Sequence, residues 1–250
     1  MPLPDPTLIA FASAVLLLAG TVKGFVGLGM PTVALALLTF QTDTRSAMTL
    51  ILVPMLISNV WQFWRGPDRI GCAKRHWRFA AILAACVAAT VWFSQSAPDA
   101  FLRAVLGLFV LAFCIFSWRN MVPRVPQQKA RAFETIAALI AGLVGGLTAA
   151  WAPPLAIYLT GLRLSQDAFV QALGFLISAG SISIFVMFVA VGHSSAPDIA
   201  VSSVLLIPTL IGFSVGEWLR YRSNSDQFKA AFLCVFALLG VYLVLSNIWG

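Results

Sequence analysis

Ten apolar runs fill this chain almost end to end, at roughly 7–22, 30–40, 47–64, 79–94, 103–118, 132–145, 154–162, 169–191, 200–219 and 230–248. A helix needs about 20 apolar residues to cross a membrane, and no polar stretch between the runs is long enough to fold alone. Only 10% of the 250 residues are charged and 60% are hydrophobic, against about 25% charged in soluble domains. A soluble enzyme on a membrane anchor is thereby excluded. So is a β-barrel, whose strands alternate apolar and polar residues in short segments. The reading is an all-α polytopic membrane protein with eight to ten membrane segments, folded as one transmembrane domain over 1–250.

The formal charge of +7 does not point to nucleic acid, because the basic residues sit in short loops beside apolar runs. Numbering the loops between runs from one to nine, the odd loops carry 14 of the 16 Lys and Arg residues; only Arg45 and Arg103 fall in even loops. Basic loops stay cytoplasmic. Loops 65–78, 119–131 and 220–229 are therefore expected inside and both termini outside, in the periplasm. No Lys or Arg precedes Lys23, so the first run lacks the basic start of a cleaved signal peptide and is expected to be a retained span. Cys86, Cys114 and Cys234 lie in apolar runs and Cys72 in a basic loop, with no paired spacing. They read as small hydrophobes, not as a framework or a metal site.

Two runs are too short to cross. Residues 30–40 and 154–162 span about 15 Å each as helix, against a core of about 30 Å. Each follows a break rich in Gly and Pro: Gly24, Gly27, Gly29 and Pro31 in the first, Gly145, Gly146, Pro153 and Pro154 in the second. A shift of 122 residues places Gly20 on Gly142, Gly24 on Gly146 and Pro31 on Pro153. We read an internal duplication: half one at about 1–118, a basic linker at 119–131, and half two at about 132–250. The charge distribution gives each half odd parity, so the halves enter the membrane in opposite senses. Each half of this inverted repeat holds a broken helix with a short limb, plus three long spans.

Breaks of this kind, matched in the halves of an inverted repeat, point to a transporter's binding site. Glycines let the backbone approach a ligand, and Pro31 and Pro153 suit the first turn of a limb, where no N–H is needed. Helix N-termini starting at the breaks favour an anion. The competing reading of Gly-x-x-x-Gly is helix packing, the role expected for Gly212 and Gly216. The candidate substrate-binding set is Lys23, Gly24, Gly27, Gly29, Pro31, Asn59, Gly145, Gly146, Trp151, Pro153, Gln171, Ser178 and Ser181. Lys23 reads equally as a snorkelling anchor or an anion contact. Asn59 is matched by Ser181 at the 122 shift and faces either a partner helix or a cavity, because an amide in lipid is costly. Trp151 is placed to wall an apolar part of a substrate.

No Asp or Glu lies at the centre of a run; Glu134 and Glu217 stand near ends, with Arg131 and Arg220 as neighbours. His76 and His193 are in loops, and neither a nucleophile elbow nor a His-Glu-x-x-His pair occurs. Neither enzyme chemistry nor carboxylate-based cation coupling has a home here, and no cofactor or metal is implied.

The segment Leu18–Leu37, with Lys23-Gly24, Gly27, Gly29 and Pro31, resembles the first signature of the sulfite exporter TauE/SafE family. Ala141–Leu176 resembles the second, through Gly142, Gly145-Gly146, Pro153-Pro154, Tyr158, Leu159, Gly161, Phe169 and Leu173. Gly27-Leu28-Gly29 is sparser than the first signature's consecutive glycines, and Trp151 and Ala152 stand where the second often has small residues. The resemblance implies a multi-pass permease of the bacterial inner membrane for a small anion such as sulfite or an organosulfonate, in either direction, as a monomer or an oligomer. The alternatives are a passive anion channel and a membrane assembly subunit with no transported substrate.

Overall fold

A computed structural model describes residues 5–27, 29–118 and 130–220, together with 222, 237, 240, 241 and 244. These residues form helices without strands: α1 (Pro6–Val26), α2 (Met30–Leu38), α3 (Thr44–Trp64), α4 (Arg69–Phe93), α5 (Asp99–Trp118), α6 (Ala130–Thr148), α7 (Ala152–Gly161), α8 (Gln166–Ala190), α9 (Ala196–Val204) and α10 (Leu206–Arg220). Among the described residues, six stretches are long and apolar enough to cross a membrane: α1, α3, α4, α6, α8, and α9 with α10 taken together.

Helix starts follow from local chemistry. Asp5, Asp43 and Asp68 accept the backbone N–H groups of Thr7, Ser46 and Gly71 at 2.9, 3.0 and 2.9 Å, capping α1, α3 and α4. The short limbs are as short as the sequence implies, with 9 residues in α2 and 10 in α7. The ninth run differs from its expected single segment. It begins at Ala196 and is divided at Leu205, because Pro208 has no N–H to give Val204 and its ring crowds that carbonyl. Run 230–248 and most of the linker 119–131 lie outside the described residues.

Pro54 sits inside α3 and likewise leaves the carbonyl of Leu50 without its helical donor. Ser202 of α9 donates its hydroxyl to that oxygen at 2.9 Å and accepts from Val53 N at 3.0 Å. An unpaired carbonyl in lipid would cost several kcal/mol, so this contact ties α9 to α3.

The glycine pairs set the closest packing. A methyl group at Gly20 would lie 2.3 Å from Thr209 O, and one at Gly24 would lie 2.0 Å from Phe213 O, so α1 packs backbone to backbone on α10. Gly212 and Gly216 return the contact against Leu17 O and Thr21 O, each at 2.0 Å. Gly142 and Gly146 fit α6 onto α4 in the same manner, over Cys86 and Thr90.

Candidate functional site

The first break is made by two left-handed residues. Gly27 (φ 87°) closes α1, its N–H donating to Lys23 O at 2.7 Å, and Gly29 (φ 92°) precedes α2. The second break repeats part of this geometry. Ala149 is left-handed (φ 51°), and its N–H donates to Gly145 O at 2.7 Å. The limb starts also match: Val33 N reaches Gly29 O at 2.9 Å and Leu155 N reaches Trp151 O at 3.2 Å. Pro31 and Pro153 occupy the first turns of α2 and α7, and neither limb has a side-chain cap.

Lys23 does not snorkel. Its side chain is 2% exposed, and Nζ donates to Ser58 Oγ at 3.0 Å and Asn59 Oδ1 at 2.5 Å. Asn59 is thereby turned towards a partner helix, and its amide N–H₂ donates to Met55 O at 2.7 Å. Both partners of Lys23 are uncharged, and both come from α3.

Lys23 also forms the floor of a polar vestibule of about 380 Å³. Gly24, Gly27, Gln62, Val170 and Gln171 form its wall, with Arg65, Asp167, Glu217 and Arg220 towards the mouth. Gln62 donates to Gly27 O at 3.2 Å and Val170 O at 2.8 Å, which ties the first break to α8, while its own carbonyl oxygen is buried without a partner among the described residues. Arg65 pairs with Glu217 at 3.0 Å across the mouth. The neighbour that the sequence offered to Glu217 was Arg220; the structure brings Arg65 to it from α3.

The opposite end is closed. Arg45 donates to the carbonyls of Ser94 and Ala97 at 2.7 and 2.9 Å, Asp99 accepts from Thr44 N at 2.7 Å, and Thr49 meets Ser194 hydroxyl to hydroxyl at 3.2 Å. The cleft there among Arg45, Val91, Gly146, Phe188 and His193 has a volume of about 10 Å³. A single water needs at least that much.

The candidate residues thus fall into separate groups. Lys23, Gly24, Gly27 and Gln171 line the vestibule, and Asn59 holds Lys23 from behind. Gly29 and Pro31 are buried at the start of α2. Ser178 spends its hydroxyl on Gly174 O of its own helix, at 2.6 Å. Gly145 and Trp151 pack on each other: a methyl group at Gly145 would lie 1.6 Å from the indole Nε1. Trp151 is 1% exposed and Ser181 wholly buried, and among the described residues neither Trp151 Nε1 nor Ser181 Oγ has a hydrogen-bond partner. Gly146 chiefly seats α6 on α4.

Sequence reasoning passed over Ser58, Gln62 and Arg65. Asn59 and Gln62 are three apart in an apolar helix, hence neighbours on one face. That polar stripe was the available signal.

Residues 12–243 match the family described as Sulfite exporter TauE/SafE. No curated protein and no solved structure matches the chain.

Proposed function

The chain belongs to the sulfite exporter TauE/SafE family, and we propose that it is a secondary transporter of a small sulfur-containing anion, sulfite or an organosulfonate, across the bacterial inner membrane. The observation that carries this reading is the buried Lys23 at the floor of the vestibule. An ammonium held by two neutral oxygens in a low-dielectric interior is costly. An arriving anion supplies the missing charge, while Ser58 and Asn59 keep the cation aimed. The charges at the mouth, Arg65 and Arg220 against Asp167 and Glu217, cancel, so the positive charge that favours an anion is that of Lys23.

The positive-inside distribution makes the Arg65 end cytoplasmic. The repeated backbone bonds at the two breaks support a duplicated, inverted architecture. So does the exchange of partners, α1 on α10 and α6 on α4, the first apolar run of each half against the fourth of the other. Gly24 and Phe213 at the open end correspond, 122 positions on or back, to Gly146 and Val91 at the closed end. One end open and its counterpart shut is the arrangement that alternating access requires, which favours a carrier over a passive channel.

The test is uptake of radiolabelled sulfite by proteoliposomes, with accumulation against a gradient read alongside. Lys23→Met inserts normally and loses at least 100-fold in rate. Wild-type uptake by that variant rejects the site. Flux that only equilibrates the gradient replaces the carrier by a channel.

A further inference from the structure

The two breaks are similar in backbone but not in what fills them. In half one, Lys23 reaches between the consecutive α3 residues Ser58 and Asn59. Their counterparts at the 122 shift are Gly145, Gly180 and Ser181. There the lysine is absent, and the indole of Trp151 lies over both glycines instead. Its Nε1 is 1.6 Å from a methyl group built on Gly145 and 3.2 Å from one built on Gly180. Ser181 follows Gly180 as Asn59 follows Ser58. Trp151 Nε1 and Ser181 Oγ, the latter one residue along α8 from the Gly180 that the indole covers, are both buried and without hydrogen-bond partners among the described residues.

The stations are also displaced along the molecule. α3 and α8 run antiparallel, with Gln62 bonded to Val170 O at 2.8 Å and Gly174 set against Asn59 O at 3.1 Å. Extending that register places Ser181 level with residue 52, seven residues from Asn59. At 1.5 Å per residue that is about 10 Å, in the direction away from the vestibule mouth.

Resting on the anion reading above, we propose that Trp151 Nε1 and Ser181 Oγ form a second, uncharged oxyanion station, which the anion occupies after leaving Lys23 on its way to the closed end. Two donors with no local acceptor suit sulfite or sulfonate oxygens. A buried donor left unpaired is unfavourable, and an oxyanion satisfies both at once. The lack of a cation makes this station weaker than the one at Lys23, so it passes the anion on rather than trapping it.

Ser181→Ala and Trp151→Phe each remove one donor and keep most of the packing. Sulfite binding at equilibrium, proteoliposome sulfite uptake and melting temperature are measured on both and on Lys23→Met. The expected result is binding within twofold of wild type but uptake reduced at least tenfold in the two donor variants. Ser181→Ala also melts no lower than wild type, because it removes an unpaired hydroxyl, a combination that a purely structural serine does not give. Uptake within twofold of wild type in both variants overturns the station, as does a lowered melting point in Ser181→Ala. Loss of binding as complete as in Lys23→Met merges the two stations and overturns it too. Sulfite binding and uptake that persist in Lys23→Met strike instead at the underlying anion reading.

Discussion

Lys23 Nζ lies 2.5 Å from Asn59 Oδ1, joining α1 to α3 across 36 positions of sequence, with the lysine only 2% exposed. The contact holds the first break against α3 where Lys23 lines the vestibule. Removing the acceptor leaves a buried amine with Ser58 as its remaining side-chain partner. Asn59→Ala is expected to cost about 2 kcal/mol, the range for a hydrogen bond to a charged group. Chemical denaturation in detergent, compared with Asn59→Asp, measures it; the aspartate keeps an acceptor but neutralises the cation, so it retains stability and loses sulfite uptake.

The glycines separate by what surrounds them. Gly24→Ala brings a methyl group within 2.0 Å of Phe213 O, a backbone atom that cannot move without parting α1 from α10. Gly27→Ala meets Val170 Cγ2 at 3.6 Å, an ordinary contact, and suffers mainly from its φ of 87°. The second costs about 1–2 kcal/mol for a left-handed alanine, and the first costs more. Melting temperatures of the two variants test the order, and equal losses would contradict it.

Ala149 stands at φ 51°, where its counterpart Gly27 pays no steric cost. Ala149→Gly relieves that strain at some expense in unfolded-state entropy. A net gain of about 1 kcal/mol is expected, seen as a higher melting temperature. A lowered melting temperature would mean that the methyl group packs usefully.

Arg65 and Glu217 meet at the vestibule mouth with side-chain exposures of 54% and 29%. A pair this exposed contributes under about 1 kcal/mol, so Glu217→Gln hardly changes stability. It removes a negative charge from the anion's path. The KM for sulfite uptake from the vestibule side should fall a few-fold at low salt, and the difference should shrink as salt is raised.

His193, in the loop between α8 and α9, has its pKa lowered by burial and by the nearby Arg45. The folded protein therefore keeps it neutral where the unfolded chain has begun to take up a proton, below about pH 6.5. Stability from this group is greatest above that pH and falls as pH drops towards the lowered folded value. Melting temperatures at pH 7.5 and 5.5 should differ more in wild type than in His193→Gln. A loss unchanged in the variant assigns the acid sensitivity elsewhere.

Helix content, the two short limbs and the places where the chain breaks were legible in the sequence because they rest on local chemistry. Run length against membrane thickness, Pro at the first helical turn, Asp before a helix and Gly where φ turns positive each act within a few residues. The division at Leu205 was missed, because hydropathy runs across it and Pro208, its local cause, was not read as a break. The packing role of Gly212 and Gly216 followed from their spacing.

Tertiary structure alone decided which of two roles Lys23 plays, because its partners stand 35 and 36 positions away and local sequence carries no record of them. It likewise gave Glu217 to Arg65, opened one end of the molecule while closing the other, and laid Trp151 over Gly145 and Gly180. Each of these outcomes depends on helices meeting at one depth and rotation, fixed by the close approach of glycine faces. A sequence states which faces are able to approach. Only the assembled bundle states which atoms then find partners and which, like Trp151 Nε1 and Ser181 Oγ, are left without.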